Sequence, residues 1–101
     1  MPQKMALKVE AMDNVATIFA DEIRAGDILT VRDKSGKDEE LKVLEAIPYG
    51  HKIALSFVAK GEPIIKYGEC IGAASTDIAK GAYIHIHNME ALRGRGDRQG
   101  K

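Results

Sequence analysis

A short turn unit centred on glycine recurs along this chain and restricts it to a fold built from chain reversals. The unit is an aliphatic residue, a spacer, Ala or Lys, Gly, two spacers and a second aliphatic residue, and copies occupy residues 23–29, 58–64 and 78–84. Glycine suits the centre because it takes positive φ at little steric cost where a chain turns into a strand. The copies are unevenly spaced, which indicates a recurrent turn device and not a solenoid repeat.

Runs that alternate in polarity or are rich in β-branched residues lie between these turns and predict strands. They occupy residues 15–19, 28–32, 40–43, 51–57, 64–67, 70–72 and 83–88. Residues 33–39 resemble a polar hairpin loop, and Gly68 is expected third in a type II turn. Short helical turns could form at residues 76–80 or 89–92, but no amphipathic helix is evident. The pattern therefore predicts an all-β domain made of hairpins.

The length of 101 residues fits one small domain. We expect an N-terminal segment over residues 1–12, where Leu7 and Val9 could begin an edge strand, and a β domain over residues 13–90. Residues 91–101 are rich in Arg and Gly and predict a flexible basic tail that could order on a partner.

Charge and cysteine content limit the classes of function. Lys plus Arg and Asp plus Glu each number 15, so the balanced charge gives no support to nucleic-acid binding. Cys70 is the only cysteine, which suits a reducing compartment. The sequence has no apolar stretch of the length that secretion or a membrane span needs. These features predict a soluble, cytoplasmic protein that does not bind membranes.

His85 and His87 form the only His-x-His in the chain. On a strand, residues two apart leave the same face, so the two imidazoles could share one metal ion or one anionic ligand. Ile84 and Ile86 would then point into the core. A catalytic metal site typically needs three protein ligands, so a further ligand would have to come from elsewhere. The alternative is that Tyr83, His85 and His87 simply form the polar face of an edge strand.

His51, Lys52 and Asn88 are candidate substrate-binding residues. His51 follows a Pro-Tyr-Gly turn and could act as a ligand, a base or an anion contact, or it could be satisfied by a backbone group. Lys52, Lys60 and Lys66 could recognise a carboxylate or sulfonate as point charges, or they could be solvated surface. Asn88 could contact substrate or cap a turn. No triad, phosphate loop or zinc-cysteine pair identifies a catalytic residue.

The segments AIPYGHKIAL, AKGEPIIKYGECIG and DIAKGAYIHIHN, taken in that order, closely resemble the N-terminal SAF domain of the altronate and galactarate dehydratase family. The resemblance extends over about residues 13–97. It implies a β-clip fold, in which long bent hairpins fold over each other, and this agrees with the hairpins predicted above.

The resemblance also implies a function. In single-chain members the SAF domain precedes a large catalytic region, whereas two-component members, of the sulfolactate sulfo-lyase or split altronate dehydratase type, carry it as a separate small subunit. The implied reaction is β-elimination from a 2-hydroxy acid to give a 2-keto acid, with a divalent metal, commonly iron. We expect His85, His87, Asn88 and His51 to complete or cover a site held mainly by a large catalytic subunit.

Two other functions remain open from the sequence. The domain could be a non-catalytic module that binds a sugar acid by itself. It could instead be an assembly subunit whose histidine face is buried against a partner without touching substrate.

Overall fold

The computed structural model describes residues 4–91 and shows nine strands there, without a helix. No helix in that range is therefore long and apolar enough to cross a membrane. The prediction of an all-β fold is confirmed, and the short helices expected at residues 76–80 and 89–92 do not form within it. The strands are β1 Met5–Lys8, β2 Val15–Phe19, β3 Ile28–Asp33, β4 Asp38–Lys42, β5 Lys52–Ala54, β6 Pro63–Lys66, β7 Glu69–Ala74, β8 Tyr83–Ile84 and β9 Met89–Ala91.

The strands form a six-stranded sheet in the order β4-β3-β1-β2-β5-β8 and a three-stranded sheet in the order β6-β7-β9. β1 is parallel to β3 and antiparallel to β2. The edge strand expected near Leu7 is therefore wrong, because β1 is inside the sheet and buries Ala6 completely. The division into residues 1–12, 13–90 and 91–101 stays a prediction, and residues 92–101 lie outside the described residues.

The larger sheet is covered on both faces where β2 pairs with β5. Ala16 faces Ile53 in one apolar cluster, whereas Val15 faces Ala54 in the other. Successive residues of a strand point to opposite faces, so each of these strands supplies both clusters. This double burial explains why the short β5 has two consecutive buried residues, Ile53 and Ala54.

The glycine turn units adopt one geometry, and the structure adds a fourth copy at residues 47–53 that the sequence analysis did not count. The central glycines have φ between +83° and +93°. In each unit the residue after glycine donates its N–H to the carbonyl two residues before glycine, and the glycine N–H donates to a carbonyl of another segment. The central glycines are Gly26, Gly50, Gly61 and Gly81.

The first residues of the four units pair with one another across the fold. Ile23 forms an antiparallel bridge with Ile47, and Val58 forms one with Ile78. All four side chains are buried. The turn units are therefore parts of the core as well as chain reversals, because each anchors its aliphatic residue against the partner unit.

The β6–β7 hairpin turns through Tyr67 and Gly68, both of which have positive φ. Positive φ at both central residues defines a type I′ turn, whereas a type II turn has positive φ only at the second. The predicted type II turn is therefore wrong, although Gly68 does occupy its predicted position. Type I′ turns match the twist of a two-residue hairpin, and this favours that form here.

Asp13 and Asn14 attach this hairpin to the larger sheet. The buried carboxylate of Asp13 accepts hydrogen bonds from the backbone N–H groups of Glu10, Tyr67 and Gly68 at 2.8–3.1 Å. The Asn14 side chain accepts from the N–H of Ile65 and donates to a backbone carbonyl of β6. These bonds satisfy backbone groups at the hairpin end and fix its position against β2.

Two strands are shorter than the sequence pattern predicts. β5 ends at Ala54 and not at residue 57. The N–H of Leu55 still donates to the carbonyl of Asn14 opposite it, but the N–H of Asn14 donates to the carbonyl of Ile65 and not back to Leu55, so the pairing with β2 stops there. Phe57 is consequently exposed and does not share the buried face of Ile53. β8 ends at Ile84 and not at residue 88, for a reason given with the candidate site.

Gly81→Ala should destabilise the fold more than Gly61→Ala. Both glycines have φ of +90°, so alanine is strained at either position, at about 1 kcal/mol. A Cβ at Gly81 would also overlap the carbonyl oxygen of Lys42, whereas a Cβ at Gly61 meets open space. We expect Gly81→Ala to lower the free energy of unfolding, measured in urea, by at least about 2 kcal/mol more than Gly61→Ala does. Equal losses would show that the close approach to Lys42 is unimportant.

Asp13 should make stability depend on acidity. Burial raises its pKa, but its backbone hydrogen bonds together outweigh burial and hold the pKa below the ordinary value. A carboxyl group with a lowered folded-state pKa stabilises the fold above its unfolded-state pKa, and that contribution is lost as the pH falls through the folded-state pKa. The free-energy gap between wild type and Asp13→Asn in urea unfolding should therefore shrink from pH 7 to pH 3. A gap independent of pH would contradict this assignment.

Candidate functional site

Three histidines and a tyrosine gather at the β8 edge of the larger sheet, and we call them the histidine cluster: His51, Tyr83, His85 and His87. The rings of His51 and His85 are 4.8 Å apart, and the ring of Tyr83 stacks on that of His85 at 5.7 Å. His87 contacts Tyr83, with ring centroids 5.4 Å apart. The structure thus brings together the three histidines that the sequence analysis selected.

His51 is held by the fourth turn unit. Its N–H donates to the carbonyl of Pro48 at 3.1 Å, and its carbonyl accepts from the N–H of Ile18 at 2.8 Å. Gly50, with φ of +83°, makes the turn that places His51 beside β2. The half-buried imidazole is therefore carried by backbone that is hydrogen bonded on both sides.

Tyr83 orients the His51 ring, because its hydroxyl is 2.8 Å from Nδ1 of His51. A phenol keeps its proton at neutral pH. When the hydroxyl donates to Nδ1, the neutral ring carries its own hydrogen on Nε2 and can donate to an anionic oxygen. The sequence analysis placed Tyr83 on a polar strand face but did not select it as a site residue. Tyr83, His85 and His87 occupy alternate positions in the sequence, and this spacing was the signal that could have identified Tyr83.

Residues 85–88 form a turn and not the predicted end of a strand. The N–H of Asn88 donates to the carbonyl of His85 at 3.1 Å. The Asn88 side chain accepts from the N–H of His85 at 3.0 Å and donates to the carbonyl of Tyr83 at 2.8 Å. These local bonds use backbone groups that a longer strand would need for pairing, and this explains why β8 stops at Ile84.

The turn reverses the expected position of one isoleucine. Ile84 is fully buried as predicted, but Ile86 is 80% exposed. The prediction that Ile86 enters the core is therefore wrong, because the two-residue alternation does not continue past β8. Asn88 is buried beneath the turn, and both polar atoms of its side chain are used within it. A substrate contact by Asn88 stays a prediction, whereas its hydrogen bonds make it a residue that holds the turn.

Lys52 lies near the histidine cluster on the other face of the sheet. It is the register partner of Ile84, whereas Tyr83 is the partner of Ile53. Directly paired residues share a face, so Lys52 and Tyr83 point to opposite sides. Burial, and next the charge of Lys66, lowers the pKa of Lys52. Neither lysine has a salt bridge with an acidic side chain of residues 4–91.

His85 lies among basic neighbours. Burial lowers its pKa below the ordinary 6.5, and the charges of His51, Lys52 and His87 lower it further. The imidazole of His85 is therefore neutral at pH 7, where it can donate or accept a hydrogen bond. The surroundings favour an anionic ligand, because positive groups and N–H donors converge there. One carboxylate is nearby: Glu45 accepts a hydrogen bond from the backbone N–H of Tyr83 at 3.0 Å.

The histidines do not by themselves form a metal centre. Within residues 4–91, no three His, Cys, Asp or Glu side chains are placed to hold one ion. Nδ1 of His51 is engaged by Tyr83, and the neighbouring carboxylate of Glu45 accepts from the backbone N–H of Tyr83. The donor set therefore falls short of a closed or catalytic site, which needs at least three protein ligands.

Removing the charge of Lys52 should raise the pKa of His85, because a positive neighbour disfavours protonation of the ring. In NMR titrations, the His85 midpoint should lie below 6.5 in wild type and move upward in Lys52→Gln. Lys37→Gln, in the distant β3–β4 loop, should leave the midpoint unchanged. A His85 midpoint that is the same in Lys52→Gln and wild type would contradict the electrostatic coupling across the sheet.

Comparisons with known proteins agree with the fold and with the sequence resemblance. A family model described as the altronate/galactarate dehydratase SAF domain matches residues 4–92. The chain is 35% identical over 86 residues to the (2R)-sulfolactate sulfo-lyase subunit alpha of Chromohalobacter salexigens, a match that covers 83% of this chain and 90% of that relative.

Two further relatives show the two contexts in which the domain occurs. The alpha subunit of the same enzyme from Paracoccus pantotrophus is 36% identical over 66 residues, which cover 65% of this chain and 98% of the relative. Altronate dehydratase of Escherichia coli K12 is 38% identical over 82 residues, but this covers only 15% of that longer protein and 81% of this chain. The chain therefore belongs to the altronate/galactarate dehydratase SAF domain family.

Proposed function

We propose that this chain is the small subunit of a two-component lyase that catalyses β-elimination from a 2-hydroxy acid, such as sulfolactate or altronate, to a 2-keto acid. The observation that carries the proposal is coverage: the match spans 90% of a sulfo-lyase alpha subunit but 15% of altronate dehydratase. The match runs through nearly the whole separate subunit, and this supports the small-subunit function. The partner would be a large catalytic subunit of the same family.

The reaction requires more groups than this chain supplies. A base must take the proton from the carbon next to the carboxylate, and the leaving group must depart from the β carbon with its bonding electrons. The resulting enol then becomes the 2-keto acid by moving a proton. The histidine cluster offers imidazole nitrogens and a phenol, and the neighbouring Glu45 carboxylate is engaged by the N–H of Tyr83. Within residues 4–91 no three ligand-type side chains are placed to hold a metal ion, and this supports a site that the large subunit completes.

Within that shared site, we assign the histidine cluster to the substrate acid group. The N–H on Nε2 of His51 can donate to a carboxylate or sulfonate oxygen, and the neutral His85 ring beside it can do the same. Hydrogen bonds to an anion are stronger than those between neutral groups, and they fix the orientation of the substrate. Lys52 and Lys66 add positive potential from the other side of the sheet.

The divalent metal, expected to be Fe²⁺, belongs to this proposal as a component of the shared site. A divalent ion polarises carboxylate and hydroxyl oxygens when it is bound. His85 and His87 are the ligands that this chain could contribute, and the large subunit would have to supply the others. The proposed location is the cytoplasm, which suits the single reduced cysteine Cys70.

The direct test is an assay for 2-keto acid formation from sulfolactate and from altronate, with ferrous iron. The assay uses this chain, the large subunit of the same family from the same organism, and both together. Activity only with both chains would support the small-subunit function and identify the substrate. Full activity of the large subunit alone would contradict it, and tight binding of a sugar acid to this chain alone would favour a binding module.

Replacing His85 or His87 with Ala should lower kcat/KM of the two-chain enzyme by about 10- to 100-fold, the range expected when a group that orients a ligand is removed. The free energy of unfolding should change little, because His85 is only half-buried and His87 is exposed. Lys37→Ala, in the β3–β4 loop, serves as the matched surface control. Unchanged kinetics with normal assembly would show that the histidines do not touch the reaction.

A further inference from the structure

The apex of the 85–88 turn exposes a large aliphatic side chain beside the histidine cluster. Ile86 is 80% exposed, the highest value among the exposed large hydrophobic residues of the described chain. It stands between His85 and His87, both of which contact Tyr83. An isolated exposed apolar residue is ordinary on a protein surface, so its meaning depends on how the chain holds it and on what it adjoins.

The turn holds Ile86 in one position before any partner binds. The buried Asn88 joins the two ends of the turn by its side-chain bonds to His85 and Tyr83, and its carbonyl accepts from the N–H of Ser75 at 2.9 Å. The turn is therefore also attached to the segment that follows β7. A residue presented on such a fixed turn loses little conformational entropy on binding, because the backbone is already ordered.

We propose that the 85–88 turn is the docking element through which this chain binds its large subunit, with Ile86 entering an apolar pocket of that subunit. This inference rests on the proposed function. His85 and His87 flank the anchor, so docking would place both imidazoles at the subunit boundary in one step. The same turn would then bind the large subunit and bring two histidines to the shared site.

The relatives indicate why such an anchor is needed. In altronate dehydratase, the matched region is part of a longer chain, so a covalent connection keeps it near the rest of the protein. A tether of this kind gives an effective concentration that separate chains lack. The match covers the sulfo-lyase alpha subunits almost completely, so in those enzymes the domain is a chain of its own. A separate chain stays bound to its partner only through favourable contacts at the interface.

Ile86 satisfies the physical requirements of such a contact. Interface energy concentrates in a few desolvated side chains that are surrounded by polar groups, and Ile86 is an apolar side chain with a histidine on either side. No acidic residue interrupts residues 83–88, so docking would not bury an unpaired negative charge from the turn itself.

The test measures binding of this chain to the family large subunit from the same organism by calorimetry, with turnover measured in parallel. Ile86→Asp should weaken the Kd by at least roughly 30-fold, because a charge would replace the anchor in a desolvated pocket. Ile86→Leu should stay within a few-fold of wild type. Ile28→Asp, an exposed position on β3 at the far side of the sheet, should bind like wild type.

Each of three other results would contradict the inference, and the results can be told apart. If Ile86→Asp binds the large subunit as tightly as wild type while activity still needs both chains, the docking element is wrong and the proposed function stands. If wild type does not bind the large subunit, both fail. Sedimentation of the chain alone completes the design: a self-association lost only in Ile86→Asp, with unchanged large-subunit binding, would assign the turn to a homodimer instead.

Discussion

Positive φ at the glycine of each turn unit is the constraint on which the rest of this fold depends. The conformation lets the next N–H close the turn and directs the glycine N–H toward a carbonyl of another segment. The leading aliphatic residue of each unit is thereby driven into a bridge with the partner unit, as Ile23 is with Ile47. A chain of short strands gains cooperativity this way, because each reversal also contributes to a buried cluster. The same turns hold the candidate site, because His51 lies in the 47–53 unit and Tyr83 lies in the 78–84 unit.

Asp13 and Asn14 add polar bonds between two sheets that already share a buried apolar cluster. A buried carboxylate that accepts several backbone N–H groups is expensive to remove, because the donors would be left without partners. Its bonds reach the type I′ turn of the β6–β7 hairpin, while Asn14 bonds Ile65 within the hairpin. The hairpin in turn carries Lys66, whose charge reaches Lys52 on β5. A polar clamp remote from the histidines therefore helps to set the potential around them.

Sequence reasoning succeeded where one physical rule dominated and failed where local hydrogen bonds competed with it. The apolar, β-branched composition of residues 15–19 predicted β2 to the residue, and such a run is expected of a strand whose two faces enter two buried clusters. Alternation failed at residues 85–88, where the side chain of Asn88 closes a turn that periodicity does not reveal. Proximity of His51 to His85 was also not readable, because it depends on the pairing of β5 with β8. Residue type and spacing selected the three histidines as candidates, whereas only the fold shows that Tyr83 lies among them.

The composition of the histidine cluster explains why a domain of this kind would operate with a partner. Imidazoles and a phenol bind and orient an anion well, but elimination also needs a positioned base and a path for the leaving group. Building all of these into a small β domain would require burying carboxylates beside the lysines and histidines, with a large desolvation cost. Dividing the groups between two chains avoids that cost until they meet, because carboxylates carried by the other chain would stay hydrated before assembly. The exposed position of Ile86 between two of the histidines is then consistent with a site that becomes dry only on assembly.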